Sequence, residues 1–245
     1  MEEIKSSTRV FLLAAVIMLV ILLTGPLGYK FGFIDLMPTL VSLLVALMGS
    51  VLVFIGAFVF VFLANKKKLV KNRNMLLLSM ALSLLPMIVM GPQITRTVSV
   101  PPIHDITTDT ENPPEFYEIV KHRVHAANDL AYGSEQLPAR ELAAMQLAAY
   151  PNVKPLETGL AIEEAVSRAE SVLKSQGLDI VSVDPEAGLV EATATTFWFG
   201  FKDDLVVRVT GTEGGSRIDV RSISRVGQSD IGVNARRIEK FLAAF

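Results

Sequence analysis

The stretch IEEAVSRAESVLKSQGLDIVSVDPEAGLVEATATTFWF, residues 162–199, changes its period halfway along. In its first part Ile162, Ala165, Val166, Ala169, Val172 and Leu173 recur at the spacing of one helix face, with Glu163, Glu164, Arg168 and Lys174 turned elsewhere. Gly177 stands where such a helix ends most readily, because glycine enters the left-handed conformation of a C-terminal cap without a side-chain clash. Leu178 to Val183 then leads into the turn Asp184-Pro185-Glu186-Ala187-Gly188. From Leu189 to Phe199 the period becomes two: Val190, Ala192 and Ala194 alternate with Glu191, Thr193 and Thr195, as in a strand with one buried face.

Downstream, Leu205 to Thr210 and Arg217 to Ser224 predict two more strands, joined across the hairpin signal Thr212-Glu213-Gly214-Gly215. A closing helix carries Ile231, Ala235, Ile238, Leu242 and Phe245 on one stripe, with Ser229 or Asp230 as its N-cap. Residues 157–245 therefore predict helix, four antiparallel strands and helix, an α+β layered core with both helices on one face of the sheet. The pattern is similar to helix-grip-like domains of bacterial envelope proteins. Upstream, residues 96–156 predict an extended arm and short helices. Pro101-Pro102 and Pro113-Pro114 exclude regular helix from Val98 to Pro114, whereas Pro114 to Leu130 and Pro138 to Ala149 allow it.

The N-terminal part is of another kind. Apolar residues make up 51% of the chain and raise the mean hydropathy to +0.44, and they crowd into the first 92 positions. A helix needs about 20 apolar residues to cross a hydrocarbon core. Three runs within residues 1–95 meet that need, at about 10–27, 38–64 and 75–94. The first has no small-x-small cleavage site after it, which favours a retained helix over a removed signal peptide. Between the second and third runs, Asn65 to Asn74 holds five basic residues and no acid. The positive-inside rule makes that loop cytoplasmic, with the N-terminus on the same side and everything after Ile94 across the membrane. No ionisable residue interrupts the runs, which disfavours transport through them. Gly49, Ser50, Gly56 and Ala57 of the second run suit close packing among the three helices.

Charge separates the two parts as well. Only Glu2, Glu3 and Asp35 of the 25 acidic residues precede Gln93, against eight of the 23 basic ones, so the first part carries +5 and the remainder −7 within a total of −2. A domain of that sign is a poor partner for nucleic acid. The absence of cysteine removes disulfides, thiol nucleophiles and thiolate metal sites.

Several separated motifs are recognisable in order: Pro102-Ile103-His104-Asp105-Ile106-Thr107-Thr108-Asp109, Pro113-Pro114-Glu115-Phe116, Ala149-Tyr150-Pro151, the run from Thr196 to Asp204, and that from Asp219 to Ala235. From about Pro101 to the C-terminus the chain resembles the domain-of-unknown-function 1499 family. The resemblance implies a domain found in bacteria and plant plastids, sometimes behind membrane helices. It transfers no activity, cofactor or catalytic residue.

On the last predicted strand, Arg217, Asp219, Arg221, Ile223 and Arg225 share one face, opposite Ile218, Val220, Ser222 and Ser224. With the helices over the Val220 side, the other side gathers Arg208, Arg221 and Arg225 with Glu191, Thr193, Thr195, Phe197 and Phe199. Guanidinium forks suit carboxylate or phosphate, so this face is a candidate site for an anionic or amphiphilic ligand, an envelope lipid among them. The competing expectation is an ion-pair network in which Glu191, Asp203, Asp204 and Asp219 neutralise those arginines. Asp230 and Asn234, at the start of the closing helix, are candidates for an anion or for ordinary capping. Trp198 is a candidate for ligand contact or for packing. His122 and His125 would share a face if their segment were helical, without companions that would complete a metal site.

The sequence thus predicts an integral protein of the bacterial inner membrane whose extracytoplasmic domain binds an anionic small molecule, a lipid or a membrane protein partner, with no cofactor and no metal. The alternatives are a small envelope enzyme, for which His104 and Asp203 or Asp204 are the acid–base candidates, and a structural subunit of a membrane complex.

Overall fold

The structure is a computed structural model that describes residues 2–245, in two compact units. The first contains three long helices: α1 (Ser6–Lys30), α2 (Leu36–Lys66) and α3 (Val70–Ser99). Each is long and apolar enough to cross a membrane. Their buried residues repeat every seven positions: Thr8, Ala15 and Leu22 in α1, Thr39, Ala46 and Val53 with Ser50, Ala57 and Ala64 in α2, and Asn72, Ser79 and Pro86 with Leu76 and Ser83 in α3. The seam is built of small side chains, which let backbones approach where lipid leaves no hydrophobic drive between helices. Gly49 and Gly56 of α2 lie against Met18 and Phe11 of α1, where a Cβ would fall 2.1 Å from the Met18 sulfur and 2.5 Å from the Phe11 ring.

A polar clasp joins the starts of α1 and α3. The Asn72 side-chain oxygen accepts hydrogen bonds from the Lys5 N–H and the Thr8 hydroxyl, both at 2.9 Å. The Glu2 carboxylate accepts the N–H groups of Lys71 and Asn72. These bonds, that of Lys71 foremost, hold the Glu2 carboxyl below its ordinary value, as expected for an acid at a helix N-terminus.

The second unit is built on one antiparallel sheet. Its elements in order are β1 (Asp105–Thr107), a 3-10 turn (Ile119–His122), α4 (Ala139–Ala149), β2 (Leu156–Thr158), α5 (Ile162–Ser175), β3 (Asp179–Asp184), β4 (Leu189–Thr195), β5 (Lys202–Thr212), β6 (Gly215–Ser224) and α6 (Val233–Ala244). The spatial order is β1-β6-β5-β4-β3, and β2 pairs with β6 beside β1. The predicted α+β architecture is present, with six strands rather than four. β1 and β2 have three residues each, too few for any period to register, and both come from the segment read as an arm. The helix allowed over Pro114 to Leu130 is only the 3-10 turn, so His122 and His125 share no helix face and both are exposed. The closing helix begins at Val233, two residues past Ile231.

Alternation divides the sheet into two buried faces. Val190, Ala192, Leu205, Val207, Ile218 and Val220 pack with Ala165, Val166, Ala169 and Leu173 of α5 and with Ala235, Ile238 and Phe241 of α6. A bulge between Ile180 and Ser182 keeps β3 in step, so Ile180 and Val183 join this core while Val181 and Ser182 face the other way. Gly177, at φ +78°, ends the turn after α5 as its position predicts. The opposite face is covered by residues 108–132, which pack Phe116, Ile119 and Leu130 on Val206 and Ile223. On the outer edge, the Gln146 side chain of α4 donates to the Thr107 carbonyl at 2.7 Å and accepts the Thr107 N–H at 2.9 Å, closing the exposed side of β1.

Candidate functional site

The arm is bound to the sheet by charged groups. On β4, Glu191 is 1% exposed, and its carboxylate accepts the N–H groups of Tyr117, Glu118 and Ile119 at 2.5–3.0 Å, with the Ser182 hydroxyl at 3.2 Å. It therefore caps the 3-10 turn of the arm from across the interface. Next to it Asp204 of β5 sits between two guanidiniums, Arg123 of the arm at 2.5 Å and Arg225 after β6 at 2.8 Å, and accepts the Thr193 hydroxyl. Arg225 also donates to the His122 carbonyl.

Arg221 of β6 makes a two-pronged pair with Asp105 of β1 at 3.0 and 2.7 Å, and donates to the carbonyls of Pro114 and Leu130. Its guanidinium carbon lies 5.5 Å from the Phe116 ring centre and 5.6 Å from that of Tyr132. At the far end of β6, Arg208 and Arg217 share Asp109 and Asp219 at 3.0–3.2 Å. The hydrogen bond from Arg217 to Asp219 raises the pKa of that guanidinium further.

The arm itself walls a cleft of about 640 Å³, with Arg221 of β6 reaching it from the sheet. Phe116, Val120, Val124 and Leu130 are among its apolar lining, and its polar lining includes the acids Glu115 and Asp129 as well as Arg123, Tyr132 and Arg221. The Tyr132 hydroxyl is buried and has no hydrogen-bond partner among the described residues. Desolvation, reinforced by the Asp105 charge against the opposing Arg221, pushes its pKa well above the ordinary tyrosine value, so it stays a neutral donor.

The sequence-nominated residues thus fall in three places. Arg208, Arg221 and Arg225 share the arm face, as alternation along the strands requires, and each is engaged by a carboxylate. Of the four acids expected to neutralise them, Asp204 and Asp219 do so. Asp203 points to the helix face and pairs with Arg237 at 2.7 Å, and Glu191 binds backbone N–H groups. Asp230 and Asn234 lie on the helix face. The Asp230 carboxylate accepts the N–H groups of Gly232 and Asn234 at 2.8 and 2.5 Å and so caps α6. Burial raises its pKa in spite of those bonds. The Asn234 amide donates to the His104 carbonyl and to Ser224, and accepts from Ser222. Trp198 is half-buried in the turn between β4 and β5. Asp203 and Asp204 lie on opposite faces, and His104 contacts the Gln228 carbonyl at 3.4 Å.

Sequence reasoning did not single out Arg123, Tyr132 or Phe116. Phe116 stood in a quoted motif, but its place on Arg221 has no local signal. Tyr132 and Arg123 lie in a segment without period.

Fold and site together define a class: an α+β domain behind three helices able to span a membrane, with one sheet face roofed by an ion-paired arm. Residues 105–245 match the family described as Protein of unknown function (DUF1499). The chain belongs to that family. No curated protein and no solved structure matches it.

Proposed function

We propose that this is a membrane-anchored binding protein. Three helices hold it in the bacterial plasma membrane with the N-terminus cytoplasmic, and the extracytoplasmic domain takes up an amphiphilic ligand in the cleft of its arm. The observation that carries the reading is the Tyr132 hydroxyl. A buried donor left unsatisfied costs about 1–3 kcal/mol, a cost that a ligand acceptor would remove. Phe116, Val120 and Val124 beside it suit a hydrocarbon portion, and the edges of Arg123 and Arg221 suit a carboxylate, phosphate or carbonyl. Arg221 is then the one arginine of the three nominated that meets ligand. Arg208 and Arg225 fasten the arm.

Native mass spectrometry of the full-length protein released from membranes tests this. The expected result is a reproducible small-molecule or lipid adduct, retained by the folded chain and lost in Tyr132→Phe and Val120→Trp, which remove the donor and fill the cleft. An unadorned mass for wild type, or an adduct that survives both changes, would sink the cleft as the site. The basic loop Lys66–Arg73 supports the orientation, and the absence of cysteine makes that part easy to check. An impermeant maleimide applied to intact spheroplasts should label Glu213→Cys and leave Lys68→Cys unlabelled. The reverse pattern would invert the topology.

A further inference from the structure

Residues Phe197-Trp198-Phe199-Gly200-Phe201-Lys202 set four aromatic side chains and a cation in six consecutive positions. They connect β4 to β5 through a tight turn in which the Thr196 N–H donates to the Phe201 carbonyl at 2.8 Å and Gly200 takes φ +69°. Turns in water are usually made of glycine, asparagine, aspartate, serine and proline, because those residues meet the backbone demands at little cost. Here the turn positions are aromatic instead. Phe197 is 90% exposed. Burying a side chain of that size is worth roughly 1.5–3 kcal/mol, so Phe197 leaves a substantial gain unrealised in water.

Aromatic rings beside a lysine are the composition of a membrane–water interface, where the ring body is apolar and its rim and the ammonium stay hydrated. The covalent chain keeps such an interface near. Only residues 100–104 separate the end of α3 from the start of β1, a tether of at most about 18 Å when fully extended. We propose that the β4–β5 turn is an interfacial anchor that seats Phe197 and Trp198 at the headgroup–acyl boundary of the bilayer the helices cross. It acts as a second hold on the membrane, in addition to the helices. This inference does not depend on the cleft having a ligand.

Trp198 is the single tryptophan of the chain, so its emission reports the turn alone. The test is to reconstitute the full-length protein in phosphatidylcholine–phosphatidylglycerol vesicles with bromines placed at shallow or deep acyl carbons, and to measure quenching by lipid and by aqueous acrylamide. Interfacial elements lie about 5–10 Å into the boundary, so shallow bromines should quench Trp198 roughly twofold or more, deep ones less, and acrylamide should reach it poorly. Moving the reporter by one place, in Phe197→Trp combined with Trp198→Phe, should preserve or increase the shallow quenching. Emission that ignores brominated lipid would overturn the proposal, whether acrylamide reaches the indole or protein shields it from both. Native mass spectra that fail to show a cleft ligand would leave this result untouched.

Discussion

Under α5 and α6 the sheet buries Val190, Ala192, Leu205, Val207, Ile218 and Val220, whereas under the arm it buries Glu191, Thr193, Asp204, Asp219 and Arg221. Both faces exclude water, but by different means. Apolar burial is non-directional, contributes roughly 1.5–3 kcal/mol per large side chain, and tolerates modest repacking. Buried charges behave otherwise, because desolvation of each ion nearly offsets the attraction of its partner, while loss of one partner leaves the other stranded. The helix face therefore supplies net stability. The arm face supplies placement, since Glu191, Asp204 and Arg221 have their partners satisfied only when residues 108–132 lie in this one arrangement.

The sharpest way to break this contrast is Arg221→Ala. It strands the Asp105 carboxylate and releases the carbonyls of Pro114 and Leu130, and the cost expected is about 3–5 kcal/mol. The lesion should be local. Hydrogen exchange of the full-length protein should show the arm opening, and trypsin should cut at Lys121 and Arg123, while α5 and β5 stay protected. Equal loss of protection throughout the domain would mean that the arm face also carries the global stability.

Leu205→Ala is the matching change on the helix face, with a cost of about 2–5 kcal/mol from lost transfer energy and the cavity left behind. Here the whole domain should lose stability together, read as a lowered urea midpoint with arm and helices melting in one transition. Glu191→Gln is milder and more specific. Replacing one carboxylate oxygen with an amide donor disrupts charge-assisted bonds worth roughly 1.5–3 kcal/mol, so exchange at Tyr117, Glu118 and Ile119 should quicken by about 10- to 150-fold, with little change at Asn128. If those three amides stay slow, Glu191 is not what holds the turn.

The smallest effect belongs to Asp230, a charge placed on the helix face. Burial raises its pKa, so the folded chain holds this proton more tightly than the unfolded chain does. The stability it contributes is fully present below about pH 3.8 and is lost as the pH rises through the folded value. Melting temperatures of wild type and Asp230→Asn, compared between about pH 3 and pH 6, should show the wild type losing ground to the variant as pH increases. A difference independent of pH would show that Asp230 does not titrate upward.

Much of this architecture was legible because it rests on local repetition. Ile162, Ala165 and Ala169 announce α5, Val190 with Ala192 announces β4, and alternation from Arg217 to Arg225 places the arginines on one face before any contact is known. β1 and β2 escaped because three residues carry no period, and their pairing is decided entirely by β6. Arg208, Arg221 and Arg225 were found as a group, and Asp219 and Asp204 were among the acids named for them, but Asp105 and Asp109 were not, since both lie in a proline-bounded segment that reads as irregular. Arg123 and Tyr132 had no pattern at all.

By itself, the sequence determined three apolar helices, the order of the main strands, the helix face of the sheet and the residues sharing the opposite face. Each of these follows from backbone periods of 3.6 and 2 acting over a few residues. Tertiary structure alone decided that the charged face is roofed, that Arg221 meets Asp105 across 116 positions, and that a cleft remains beside Tyr132. The physical reason is range. Hydrophobic patterning is written into neighbouring residues, whereas the pairing of buried charges depends on where the chain returns, and that is set only once the whole domain has closed.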